Sequence, residues 1–422
     1  MTVSPSTRTR LDTVVRSFRM IQKMNRGRPE VKPSENLYYQ FLTGYFTRIL
    51  NAGIDHKPLV LHTIFMPAEI LYAMDIVPMH AETTSWMVPA FTGSVGEMLA
   101  KASELGLAPE ICSAHRVLTG ALACGDLPRP DAVTWSNLCC DNSAKSSELL
   151  LELTDAPGYF VDIPFSDSPA EIAYGVKELR GLIEFLERTT GRQMDWQKLS
   201  DIIARLNHQI DLYQQIYELR KAVPSPFPMH RFAEFMMSSY LMPGHPEVIT
   251  YLETLRAELS EMVRLGQGAV QPEKFRLMSL FIPPVYLMGL LGEVSRQTGA
   301  VSVVEPLFGQ WGDLKLDPER PLESLVKKSL AFPECASYGP LNERILAETE
   351  RCARQFKVDG AVLYAHVGCR QGAALIKTYR DMLSRIDVPL FVLDMDLLDQ
   401  TITSADEIKT KLLQFVEILE DR

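Results

Sequence analysis

The segment D-G-A-V-L-Y-A-H-V-G-C-R-Q-G, residues 359–372, decides how the chain is read. Residues 361–365 form an apolar, β-favouring run of the length of a fully buried strand. The run ends at Gly368 and Cys369, and helical spacing resumes at Ala373. A cysteine just past a buried strand lies at the carboxyl end of a sheet, where open α/β folds bind ligands. A lone cysteine in such a place is most often inert packing. Here the strand–cysteine–helix pattern also occurs earlier in the chain.

On either side of this segment strands alternate with helices. In the first half the strand-like runs are 58–64, 76–80, 131–135 and 159–163. Helical runs at 66–74, 93–105 and from about Val117 separate them, with Pro67 suited to a first helical turn. In the second half the strand candidates are 276–282, 301–305, 361–365 and 390–393. This alternation predicts two Rossmann-like (flavodoxin-like) parallel-sheet α/β domains with right-handed crossovers. The shared rhythm reads as a structural duplication, although the two sequences do not repeat. Between the halves, 168–264 carries long helical patterns at 170–189, 196–223 and 247–265, interrupted by the P-S-P-F-P at 224–228. The N-terminal residues are helical too, with Leu37, Phe41, Tyr45 and Ile49 at four-residue spacing. The expected organisation is an N-terminal helical region (1–56), a first α/β domain (57–167), a helical bridge (168–274) and a second α/β domain (275–422).

Forty-three basic residues against 53 acidic ones leave a formal charge of −10, which argues against nonspecific nucleic-acid binding. The first 19 residues lack the apolar core of a signal peptide. The longest apolar run, 279–292, is too short for a bilayer and carries Pro283 and Pro284. A cytoplasmic protein without membrane partners is expected. Seven cysteines at irregular spacing suit reduced thiols or metal ligands rather than a disulfide framework.

Cys112 precedes a helical stretch. Cys139 and Cys140 follow the third strand, and Cys369 follows the corresponding strand of the second half. Three separate loops thus bring thiols to the face between the halves. Cys124, Cys335 and Cys352 lack this placement, and Cys352 sits mid-helix. Three thiolates from separate loops suit an iron–sulfur cluster. Zinc is an alternative, with His115 and His366 each three residues from a cysteine, although paired C-x-x-C spacing is absent. Inert thiols are the third possibility. Three cysteines on a four-iron cluster would leave one iron open to an oxygen ligand.

Taken together, these motifs resemble a subunit of the 2-hydroxyacyl-CoA dehydratase and benzoyl-CoA reductase family. The resemblance runs from about Lys57 to the C-terminus. It is carried by P-A-E-I-L-Y-A-M-D-I-V-P (67–78), E-I-C-S-A-H-R (110–116) and L-P-R-P-D-A-V-T-W-S-N-L-C-C-D (127–141). V-D-I-P-F (161–165), V-D-G-A-V-L-Y-A-H-V-G-C-R-Q (358–371) and V-P-L-F-V-L-D-M-D (388–396) complete it. The family implies an oxygen-sensitive 4Fe-4S cluster on three cysteines, which on this match are Cys112, Cys140 and Cys369. Cys140 is preferred to Cys139 because it occupies the family position before an Asp or Asn.

The resemblance further implies an acyl-CoA thioester substrate, a paralogous second subunit (or a second copy) and a separate ATP-hydrolysing iron–sulfur activator. The chain itself has no G-x-x-x-x-G-K-S/T loop for ATP and no G-x-G-x-x-G for a dinucleotide. In the dehydratase reaction, water leaves an (R)-2-hydroxyacyl-CoA through a ketyl radical. The alternatives are an ATP-dependent reductase of the benzoyl-CoA or double-cubane type, and a non-catalytic electron-relay partner. H-V-G-C-R-Q resembles the substrate-activating dehydratase subunit, and H-A-E-T-T-S-W stands where benzoyl-CoA reductases carry a glycine-rich segment. T-I-F-M-P departs from the small polar residue that dehydratases carry before Phe-Pro, which bears on the substrate.

Glu82 matches an acidic family position near the substrate, where it could shuttle a proton; a solvated loop glutamate is the bland reading. His366 could donate a hydrogen bond to a cluster sulfur or a thioester oxygen, or simply be a satisfied strand histidine. Glu69 reads as a charge at a helix N-terminus. Asp394 and Asp396 read as turn and capping groups, and the Met-rich 229–242 as core. The cysteines are expected to meet in a cleft between the two sheets, with Glu82 and His366 on its walls.

Overall fold

A computed structural model describes residues 5–28, 30–138, 140–307, 314–331 and 342–422; Cys139 and Cys335 lie outside the described residues. Two helices open the chain, α1 (Pro5–Asn25) and α2 (Pro33–Asn51). The first sheet unit follows: β1 (Leu59–His62), α3 (Ala68–Ala73), β2 (Val77–His80), α4 (Ala81–Thr92), α5 (Val95–Glu104), α6 (Ser113–Ala123), β3 (Ala132–Ser136), α7 (Asp141–Thr154) and β4 (Gly158–Val161). Then come α8 (Pro169–Thr190), α9 (Trp196–Arg220), α10 (Phe232–Tyr240) and α11 (Pro246–Arg264). The second unit comprises β5 (Phe275–Leu280), α12 (Met288–Thr298), β6 (Ala300–Val304), α13 (Pro321–Ala331), α14 (Asn342–Gln355), β7 (Gly360–His366), α15 (Arg370–Arg385), β8 (Leu390–Met395) and α16 (Ala405–Glu420).

Both sheets are four-stranded and wholly parallel, with orders β2-β1-β3-β4 and β6-β5-β7-β8. Numbered within its own half, each reads second-first-third-fourth, so the topology is duplicated. β1, β2, β3, β6 and β7 are buried along their whole length, which is why they read as apolar runs without alternation.

The repeat extends to individual residues, against the expectation that no sequence repeats. Asp131 and Asp359 each stand just before the third strand of their half. Asp131 accepts from Leu59 N (2.8 Å) and Asp359 from Arg276 N (2.7 Å), tying the first strand to the third. Asp155 and Asp387 turn the chain with φ of 49° and 58°, and each opens an Asp-x-Pro triplet. The carbonyls of Pro157 and Pro389 then accept from Val133 N and Ala361 N at matching points. Phe65 and Phe281 adopt φ of 64° and 62° just past β1 and β5, each two residues before a proline. These signals are single residues spread over unequal spacings, and a search for contiguous similarity passes over them.

One local expectation is corrected. Residues 81–92 are a helix, so Glu82 lies in a helical first turn and not in a loop. The stretch is poor in helix formers and contains Pro89. It folds as a helix because seven of its residues are buried against the core, with His80 Nδ1 capping Thr83 N (3.2 Å). α6 likewise begins at Ser113, four residues before the expected point.

The two halves are fastened at the carboxyl ends of their sheets. Arg116 reaches Asp399 (3.3 Å), and Ser113 Oγ accepts from Leu398 N (3.1 Å). Asp396 is the turn group expected, accepting from Leu398 N and Asp399 N.

Candidate functional site

Cys112, Cys140 and Cys369 each occupy the N-cap position of a helix, α6, α7 and α15 respectively. Helix N-termini carry unpaired N–H groups and a partial positive charge, so they stabilise thiolate better than thiol. Cys369 Sγ accepts from Gly372 N at 3.4 Å. Cys140 and Cys112 face backbone N–H groups of their own first turns, Ser143 and Asn142 for the former and Ala114 for the latter.

The three caps are drawn together across the two halves. Asp141, next to Cys140, is held by Gln371 Nε2 (2.9 Å) and Arg370 Nη2 (2.8 Å), the residues that follow Cys369. Asn142 Nδ2 donates to Gly368 O (3.0 Å). Gly368 presses backbone to backbone on Cys112, where an added Cβ would lie 2.4 Å from the Cys112 N and Cα. Only glycine permits that approach. Burial pushes the Asp141 carboxyl up, but the Gln371 hydrogen bond and the Lys145 and Arg370 cations outweigh it and hold it below its ordinary range.

Charge is unfavourable among the thiols themselves. Burial, then Cys140, then Asp396 and Cys369 push the Cys112 thiol well above its ordinary value. Burial and the Glu82 carboxylate push Cys140 up. Partly buried thiols gathered at three positive helix ends form a donor set that suits a cationic metal group. Among the described residues no trio of His, Cys, Asp or Glu is gathered tightly enough to hold a single metal ion. Cysteine ligands of one cubane stand farther apart, roughly 6–7 Å given iron–sulfur bonds of about 2.3 Å. Cysteine sulfur from three separate loops is the donor set that an iron–sulfur cluster takes.

Beside the thiols is a line of neutral acid–base groups. Glu82 Oε2 accepts from Ile64 N (2.9 Å), just past β1, and Glu82 Oε1 from Ser143 Oγ (3.3 Å) on α7. Its side chain is 18% exposed and, among the described residues, meets no lysine or arginine. His80 Nδ1 and His115 Nε2 lie 3.6 and 3.9 Å from its oxygens. Burial raises the Glu82 carboxyl against the lowering by His115 and the hydrogen bonds. Burial lowers His115, which Glu82 and Asp141 only partly offset. Burial thus favours the uncharged form of both the carboxyl and the imidazole.

The sequence pointed to His115 only as a zinc ligand. Its Nδ1 lies 2.8 Å from Ser146 Oγ, whose own hydrogen goes to Asn142 O (2.8 Å). Nδ1 is therefore the donor, and bare Nε2 faces Cys140 Sγ (3.6 Å) and Glu82. The motif at 110–116 contains this histidine but gives it no acid–base role, which comes from α7 packing on α6. His366 is placed differently from what was expected of a donor. Its Nε2 gives its hydrogen to Ile282 O (2.6 Å), and the buried Nδ1 has no partner among the described residues. Burial lowers its pKa, with Asp396 opposing. Neutral His366 therefore has no N–H left for a sulfur or a thioester. Glu69 does stand at a helix N-terminus, and it also pairs with Lys328 of α13. Cys124 is exposed and Cys352 buried on α14, away from the three caps.

A family model described as 2-hydroxyglutaryl-CoA dehydratase, D-component, matches residues 63–419. The chain is similar to a benzoyl-CoA reductase subunit of Thauera aromatica, at 21% identity over 93% of this chain and 96% of the relative. Lactoyl-CoA dehydratase subunit alpha of Anaerotignum propionicum is 23% identical over 84% and 89%. The (R)-2-hydroxyisocaproyl-CoA dehydratase alpha subunit of Clostridioides difficile is 21% identical over 93% and 98%. Among the described residues no helix is long and apolar enough to cross a membrane.

Proposed function

The chain belongs to the 2-hydroxyglutaryl-CoA dehydratase D-component family, and from that premise we propose that it is the cluster-bearing subunit of a 2-hydroxyacyl-CoA dehydratase. The observation that carries the reading is the convergence of three helix-capping cysteines from two sheets beside a buried carboxyl without a cation. Cys112, Cys140 and Cys369 would hold a 4Fe-4S cluster, which when bound supplies a low-potential electron and a polarising iron. A second subunit and a separate ATP-hydrolysing activator complete the system, since this chain has no phosphate loop of its own.

The residues of the chain supply the proton chemistry. The substrate thioester takes up one electron as a ketyl, and its 2-hydroxyl leaves as water with the proton that Glu82 holds. The β-hydrogen of the resulting enoxy radical is acidic, and its proton returns to the Glu82 carboxylate. The electron is given back with the enoyl-CoA product, so charge and protons balance. His115 Nε2 stands ready to share the Glu82 proton, and Ser146 fixes its tautomer. Burial keeps water from quenching the radical.

Protein prepared without oxygen is expected to contain about four irons per chain, and Cys140→Ser to lose both iron and turnover with the partner and activator. Iron-free protein that turns over normally would end this reading. The match to a benzoyl-CoA reductase subunit over nearly the whole chain favours a second reading, net reduction of an acyl-CoA. A reduced product from benzoyl-CoA, with no enoyl-CoA from any 2-hydroxyacyl-CoA, would establish it.

A further inference from the structure

A cavity of about 290 Å3 lies at the amino ends of the first sheet, away from the site described above. Lys57 and Val77 on its wall stand at or just before the starts of β1 and β2, whereas Glu82 lies past the carboxyl end of β2. β2, four residues long, separates the two places by about 13 Å.

The walls carry four cations, Arg48, Lys57, Lys198 and Arg205, against two carboxylates, Asp55 and Asp75. Four positive and two negative charges leave the lining at +2, in a chain whose formal charge is −10. Burial, then the Arg48 and Arg205 charges, hold His245 on the same wall down at about 4, so its ring adds no charge at neutral pH. Lys57 is closely paired, with Asp75 at 2.7 Å. Arg48 is only 4.0 Å from Glu247. Arg205 gives its Nε hydrogen to Gly244 O (2.8 Å) and, like Lys198, meets no carboxylate among the described residues.

Lys198 is also placed against the local rule. It is the third residue of α9, a helix whose positive N-terminal turn holds no acidic residue to offset it. Lys198, Ile202 and Arg205 recur at helical spacing, so one face of α9 presents two cations with an apolar side chain between them. The loop before α11 is fixed against that face. Gly244 N donates to Gln209 Oε1 (2.7 Å), and a Cβ on Gly244 would lie 2.6 Å from Ile202 O.

We propose that this cavity is a second binding site, separate from the thiols, for a small organic phosphate monoester. Such an ester carries close to two negative charges at neutral pH, which the net charge of the lining matches. Its oxygens accept from Lys198 and Arg205, and its organic body lies against Tyr72, Ile76 and Ile202. A carboxylic acid brings half that charge, and a bare phosphate leaves the apolar wall wet. The volume is near that of the smaller cavities that hold metabolite-sized ligands. Nothing in this inference depends on the acyl-CoA reading above.

The test is calorimetric titration of the oxygen-free holoprotein at about pH 7.5 with phenyl phosphate, benzoate and inorganic phosphate. Phenyl phosphate should bind at a single site per chain, at least about tenfold tighter than benzoate, which lacks the second charge, or phosphate, which lacks the ring. Lys198→Glu should weaken it at least about tenfold. Its urea midpoint should be no lower than the parent's, since a glutamate suits the first turn of a helix. Excess butyryl-CoA should leave the binding of phenyl phosphate unchanged. Displacement would put the phosphates of an acyl-CoA in this cavity and overturn the separate site. Phenyl phosphate that binds no better than the two controls, or equally well to Lys198→Glu, would overturn the proposal outright.

Discussion

Glu82 and Glu305 stand just past the second strand of their respective halves, and their surroundings treat them in opposite ways. Glu305 is clamped by Arg220, with Nη1 at 2.7 Å from Oε2 and Nη2 at 2.9 Å from Oε1, both side chains buried. That charge stays paired, since a guanidinium does not give up its proton. Glu82 has only neutral donors and imidazoles, so its proton can move. Its raised pKa has a cost that can be measured. Above the ordinary carboxyl value of 4.5 the unfolded chain ionises while the folded one holds its proton, so stability falls as pH rises. Glu82→Gln should therefore unfold at higher urea than the parent at about pH 7.5, with the gain vanishing toward about pH 4, while turnover is lost. A variant no more stable at neutral pH would show that the Glu82 carboxyl is not raised in the folded protein. Glu82, Cys140 and Cys369 were legible from their place just past strands, whereas Cys112 stood out only by the helical stretch after it. His115 was not, because its partners Ser146 and Cys140 come from another helix.

Between strand and helix, the loops that hold the cysteines depend on close backbone approach. Gly368→Ala would drive a methyl group into the Cys112 backbone, and the β7–α15 loop would have to withdraw. The expected outcome is a folded protein, unchanged in circular dichroism, with less than half the iron of the parent. Normal iron content would mean that the loop shifts without parting the thiols. The strand-tying aspartates make a paired prediction. Asp131→Ala and Asp359→Ala each strand the backbone N–H of a first strand, Leu59 or Arg276, and should each cost about 1–3 kcal/mol in urea unfolding. Most strands were plain in the sequence because a strand buried on both faces is apolar throughout. Helix α4 was hidden because Thr83, Thr84, Ser85, Val88 and Pro89 all disfavour a helix that only packing makes stable.

Across the whole molecule the carboxyl ends of both sheets are lined with buried histidines, His62, His80, His115 and His366, whose pKa values burial depresses. His62 is lowered to about 4 from 6.5. Between those values the unfolded chain binds a proton that the folded one refuses, so stability is full above 6.5 and is lost as pH falls toward 4. For His62 alone the loss between about pH 7.5 and about pH 5.5 is about 1.4 kcal/mol. Urea midpoints at the two pH values should show the fall, and His62→Gln should lessen it by about that amount. An equal fall in parent and variant would place the acid sensitivity elsewhere. The two parallel sheets followed from the alternation of apolar runs with helical ones. The fastening of the halves did not, because Arg116 and Asp399 are 283 positions apart and neither belongs to a recurring pattern.

Symmetry has one more consequence. Cys140 and Cys369 are counterparts: each follows the third strand of its half and caps the helix that comes next. A protein that was simply its own copy would present thiols in twos. Cys112 has no such counterpart among the described residues. It opens α6, the helix before the third strand, whereas the corresponding α14 opens at Asn342. If those three hold a four-cornered group as proposed, one corner is left ungrasped, and the third hand comes from the first half. The reactive corner of such a centre would owe its existence to the place where the two halves stopped being twins.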